Sequence, residues 1–230
     1  MENIPFYIEL VFTFSAFTAV YFFYKASNYS KVWLIGIVLW MLVQMAMGLS
    51  EFYLNTSAVP PRFILMILPP ITLILALFNT QKGKAFIAQL NIKYLYALHI
   101  ARIPVELVLY WLSIEKMVPQ LMTFEGRNFD IIAGITAPII YYLGYHKKML
   151  SNKLMLTWNI LCIGLLLNIV INAILSAPLA FQQFAFEQPN IAVLYFPFNW
   201  LPSLVVPLVL FAHLATIRQL LGVGSNQNMG

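Results

Sequence analysis

Long blocks of apolar residues alternate along this chain with short clusters of charge, proline and amide side chains. A bilayer core about 30 Å thick takes about 20 helical residues to cross. On that scale the blocks predict helices at approximately 5–24, 32–54, 61–78, 88–112, 130–146, 154–176 and 194–217. The predicted fold class is all-α: a polytopic integral membrane protein, a bundle of seven transmembrane helices. The fourth block differs from the others in carrying three ionisable residues. Two connections, 79–93 and 177–190, suit short amphipathic pieces lying along the interface, the second anchored by Phe181, Phe184 and Phe186.

Composition sharpens this picture. The chain has 230 residues, 61% hydrophobic and only 9% charged, against about 25% charged in a soluble domain. That excludes a soluble globular protein, a disordered chain and a nucleic-acid-binding domain. Seven helices use most of the length, so residues 1–230 are expected to form a single membrane domain. The one cysteine, Cys162, sits in an apolar run. It rules out an intramolecular disulfide and a cysteine-based metal site, and reads as a small packing residue. The start, Met1-Glu2-Asn3-Ile4-Pro5, lacks a positive n-region, so the first block is expected to remain as a helix.

The net charge of +5 is a matter of topology. Lys25, Lys31, Lys82, Lys84, Lys93, Lys147, Lys148, Lys153 and Arg218 fall on one side of the seven blocks, with no acid among them. The other side holds Arg62, Lys116 and Arg127, with Glu2, Glu9, Glu51, Glu115, Glu125, Asp130 and Glu187. The positive-inside rule then predicts an exterior N-terminus and a cytosolic C-terminus, in a plasma or inner membrane. Prolines 69, 70, 104, 138, 202 and 207 fall within blocks, where each frees a backbone carbonyl or kinks its helix. Blocks one to three and five to seven share one orientation. This parity resembles the seven-helix sugar transporters of three-plus-one-plus-three order, without their paired Pro-Gln motif. Block seven has no lysine for a retinal Schiff base, which excludes the microbial rhodopsins, and only His213 in place of a zinc hydrolase's several histidines.

Polar groups inside the blocks carry the chemistry, because an ionisable side chain at membrane depth costs several kcal/mol unless it faces protein or water. His99, Arg102 and Glu106 are offset by three, four and seven, so they share one helical face. Arg102 and Glu106 are spaced for an ion pair along the helix, with Pro104 between them. At a rise of 1.5 Å per residue, Glu106 and Gln44 lie ~20 Å above the inner boundary, and Asn168, Asn172 and Asn199 ~22–28 Å above it. These residues predict a polar pocket opening outward, although interhelical amide bonds are the alternative. The stretch FEGRNFD (Phe124 to Asp130) either caps the pocket or starts the fifth helix. His99 and His213 reach similar depth on two helices, as a bis-histidine haem would require. No other cofactor is suggested.

The leading expectation is a carrier or binding protein for a small polar or amphipathic molecule. Arg102, Glu106, Gln44, Asn168, Asn172, Asn199 and His99 are the candidate ligand-binding residues. Arg102 would pair with an anionic group or with Glu106, and Glu106 would be the coupling or proton-accepting carboxylate. The alternatives are an intramembrane enzyme acting on a lipid-like substrate, with Glu106 and His99 as acid and base, and a structural subunit of a membrane complex. Expected partners are the lipid bilayer and a small-molecule or lipid ligand.

Overall fold

The computed structural model describes residues 4–227. Glu2, one of the acids assigned to the exterior side, lies outside the described residues. Within them the chain is helical throughout, with no strand. The helices are α1 (Phe6–Ala26), α2 (Lys31–Leu49), α3 (Ile64–Asn79), α4 (Gln81–Gln89), α5 (Ile92–Leu98), α6 (Arg102–Ile114), α7 (Ile131–Tyr141), α8 (Asn152–Leu175) and α9 (Val206–Gln227). A 3-10 turn, His99–Ala101, joins α5 to α6, and a π turn, Leu201–Val205, leads into α9.

Five segments are long and apolar enough to cross a membrane: α1, α2, Ile92–Ile114, α8 and Leu201–Gly222. A sixth follows if α3 and α4, bent by 91°, count as one span. The remaining expected crossing is the shorter apolar helix Ile131–His146. The sequence and the structure therefore agree on a helical membrane protein, while the structure itself supports five or six spans. The bent pair is interrupted by local chemistry. Thr80 adopts an extended conformation and its hydroxyl accepts from Gly83 N at 3.2 Å, so a new helix starts there. Gly83 also permits the sharp fold-back, since a Cβ at that position would lie 2.2 Å from the Leu77 carbonyl oxygen. Pro138 lies inside α7, and a π turn, Tyr142–His146, follows that helix.

Helix α1 packs one face into the bundle. Ile8, Phe12, Ser15, Ala16, Ala19, Val20, Phe23 and Ala26 recur at helical spacing and are buried. The small members of that face let α5 and α6 approach closely, and these are the helices α1 packs against most extensively. Ser15 returns its hydroxyl to the Val11 carbonyl at 2.6 Å, so no polar group is stranded in the contact. The other faces of the helices are apolar as well. Phe14 and Phe17 on α1, Ile35 and Leu39 on α2, Leu68 and Leu73 on α3, and Ile160 and Leu161 on α8 are all exposed. Apolar surface on that scale is a lipid-facing exterior.

Candidate functional site

The start of α6 holds the most deeply buried charge. Pro104 is third in α6, close behind the 3-10 turn. The helical break lies earlier, at the 3-10 turn. From the start of α6 the Arg102 guanidinium crosses to the start of α7. Its Nε donates to Asp130 Oδ2 at 2.6 Å and its Nη2 to Asp130 Oδ1, a two-pronged ion pair. Its Nη1 lies 3.0 Å from His213 Nε2 on α9. Arg102 is 2% exposed and Asp130 5%.

This corrects the expected pairing within α6. Arg102 does not pair with Glu106, one turn along, and Asp130 is not a solvated helix cap. Asp130 stands at the N-cap of α7 but makes no side-chain cap bond there. The reason is the inward fold of the connection before α7. Asn128 and Asp130 are buried while Glu125, Arg127 and Phe129 are exposed, so two alternate side chains turn into the bundle. Asn128 uses its whole amide: Nδ2 donates to Glu106 Oε2 at 2.6 Å and to the Met122 carbonyl at 3.0 Å, and Oδ1 accepts from Asp130 N at 3.0 Å. Gly134 on α7 brings that helix against α6, where a Cβ would meet Ile103 at 2.9 Å.

The hydrogen bonds also fix a tautomer. Arginine can only donate, so His213 Nε2 accepts. The proton is then on Nδ1, which donates to Asn159 Oδ1 on α8 at 2.9 Å. Asn159 Nδ2 passes on to the Tyr96 hydroxyl at 3.1 Å and the Met155 carbonyl at 2.9 Å. The His99 and His213 rings stack with centroids 3.9 Å apart and planes 20° apart. Trp158 packs against both rings. Both nitrogens of His213 are engaged in hydrogen bonds. Among the described residues no group of three or more His, Cys, Asp or Glu side chains is placed to hold a metal ion.

The other candidate residues fall in two separate places. Asn199, beside the π turn before α9, donates Nδ2 to the Gln44 carbonyl at 2.6 Å, and the Tyr53 hydroxyl donates to Gln44 Oε1 at 2.7 Å. Pro207 frees the Ser203 carbonyl, which accepts from Trp40 Nε1 at 2.9 Å. This cluster joins α2 to the π turn. Asn168 and Asn172 act on the inward-folding connection. Asn172 Nδ2 donates to the Asn168 carbonyl at 2.8 Å, and Asn168 Nδ2 donates to the Arg127 carbonyl at 2.7 Å.

Beside the ion pair lies a cavity of about 180 Å³ between α3, α6, α8 and α9. Its walls are apolar, with Ile67, Leu109, Leu166, Val170, Val206 and Leu210 among them. Three polar side chains reach it: Glu106, Asp130 and Asn190. Of the residues expected to bind a ligand, Glu106 alone lines this space. Asn190 was not anticipated. It ends the connection after α8, and nothing in the local pattern separates it from a solvated loop amide. Asn128 and Asp130 did carry a signal, an amide and a carboxylate two residues apart beside a charged block. No family model, curated protein or solved structure matches this chain.

Proposed function

We propose that the chain is a membrane carrier or binding protein for a small amphipathic molecule, held in the cavity between α3, α6, α8 and α9. The observation that carries this reading is an apolar space ending at a buried carboxylate that has no cation of its own. Glu106 is 2% exposed, and among the described residues the ion pairs within 4 Å reduce to Arg102–Asp130. Arg102 and Asp130 neutralise each other, leaving the Glu106 carboxyl without a cation among the described residues. A buried ionisable group at membrane depth points to a functional role.

In this reading the bent pair α3–α4 and the short helix Ile131–His146 complete seven crossings, with the N-terminus outside a plasma or inner membrane. The polar end of the cavity then lies beneath the exterior connections that contribute Met122, Asp130 and Asn190, and the ligand comes and goes on that side. Gln44 and Asn199 hold α2 against the π turn, while Asn168 and Asn172 hold the connection that carries Asn128 and Asp130. The arginine serves the scaffold rather than an anionic ligand.

Native mass spectrometry of the detergent-purified protein tests the reading. A discrete bound species on wild type, lost in Glu106→Gln, is expected. Bare polypeptide in both proteins overturns it. The orientation has its own test in a Cys162→Ala background. A membrane-impermeant maleimide should label a cysteine placed at Glu125 in intact cells and spare one at Lys148; the reverse pattern refutes the assigned sides.

A further inference from the structure

The polar side chains on the cavity wall are two carboxyl groups and one amide. Glu106 presents a carboxylate, with Oε2 held by Asn128. Asp130 presents a second, already taken by Arg102. Asn190 is 1% exposed, its Nδ2 donates to the Ala173 carbonyl at 3.2 Å, and its Oδ1 has no partner among the described residues. Turning that amide over would set its oxygen against the Ala173 carbonyl, so the unsatisfied atom facing a ligand is an acceptor. Among the described residues on that wall, the amide donor of Asn190 is already used by the Ala173 carbonyl. Arg102 does not line the cavity, and Pro202 and Pro207, which do, have no backbone N–H.

We infer that the ligand of this cavity carries an ammonium head on a compact apolar body. This rests on the binding reading above. An ammonium brings three donors and one positive charge, which answers the unpaired carboxylate of Glu106 and the open oxygen of Asn190 together. A carboxylate or phosphate head would meet the Asp130 carboxylate and the Asn190 oxygen, both repulsive. A hydroxyl would satisfy one acceptor and bring no positive charge to pair with Glu106. The space fixes the body. An engineered cavity of 150 Å³ takes a benzene molecule, so about 180 Å³ takes one ring with a short linker.

Three probes with one body and different heads separate these cases: 2-phenylethylamine, 2-phenylethanol and 3-phenylpropanoate. They are titrated into the full chain in detergent at neutral pH by isothermal calorimetry. The amine should bind at least tenfold more tightly than the alcohol, and the acid should give no measurable heat. Glu106→Gln should bring the amine down to the level of the alcohol. Val170→Trp, which fills the cavity and leaves its acceptors alone, should abolish binding of all three. Alcohol or acid binding as tightly as the amine overturns the ammonium head and leaves the cavity reading standing. No binding of any probe to wild type overturns both. Should Glu106→Gln fail to fold, the ratio among the three heads on wild type decides the matter alone.

Discussion

Replacing Asp130 by alanine strands the Arg102 guanidinium in a site that is 2% exposed. Two bonds to a charged partner disappear, from Nε and Nη2. Each such bond contributes about 1.5–3 kcal/mol, so the pair accounts for about 3–6 kcal/mol. Direct removal of one partner from a buried ion pair costs about 3–5 kcal/mol, and the two routes meet near 4 kcal/mol. Glu106→Ala instead loses one bond from Asn128 and removes a desolvated carboxylate, so it should cost less than about 2 kcal/mol. Reversible unfolding in mixed micelles, followed by circular dichroism against the mole fraction of SDS, measures both. A double-mutant cycle sharpens the comparison. Arg102 should couple to Asp130 by about 3 kcal/mol and to Glu106 by less than about 1 kcal/mol. Replacing the pair together, by Arg102→Met with Asp130→Leu, should recover most of the stability lost in the single variant. A cost below about 1 kcal/mol for Asp130→Ala, or a coupling to Glu106 as large as that to Asp130, would refute the assigned pairing.

Other outcomes follow from single contacts. His213 should show an unprotonated Nε2 and a protonated Nδ1 by nitrogen NMR of histidine-labelled protein in lipid; a proton on Nε2 would contradict the bond drawn from Arg102. Gly83→Ala should force α4 away from its fold-back, because a Cβ there lies 2.2 Å from the Leu77 oxygen. A spin-label distance between α4 and α9 should lengthen, and an unchanged distance would count against the steric argument. Asn168→Ala removes the bond to the Arg127 carbonyl and should cost about 1 kcal/mol. Hydrogen exchange should rise in residues 123–130 and not in α1; equal rises in both would mean that the bond does not hold that connection.

Much of the fold was legible because lipid exposure demands long apolar helices, and such blocks are visible without context. The similar depth of His99 and His213 was legible too, and the rings do meet, although as a stack. Arg102 and Glu106 were found because charge at membrane depth is costly wherever it occurs. Their partners were not legible. Spacing along one helix suggested that they pair with each other, but a 3-10 turn starts α6 at Arg102, and an inward connection delivers a better carboxylate from the next helix. Asp130 looked like a cap because its position at a helix start is a local property, whereas its direction is set by Asn128 and Gly134. Gln44 and Asn199 were read at different depths, yet they meet in one cluster, because a depth count along each helix does not say which residues face each other. The bend at Thr80 falls just beyond the third block, and the helix Ile131–His146 is as short as its own block, 130–146.

The arrangement of the Arg102–Asp130 pair also bears on how the chain reaches its membrane. Both residues belong to consecutive helices joined by one connection, so they can meet while later parts of the chain are still being made. The Arg102–Asp130 pair would then be neutralised early, sparing the insertion machinery an isolated arginine. His213 comes more than a hundred residues after Arg102 and docks onto a pair already formed. Biogenesis would thus proceed from a self-neutralised pair to a final helix that locks it, an order set by where the complementary charges lie along the chain.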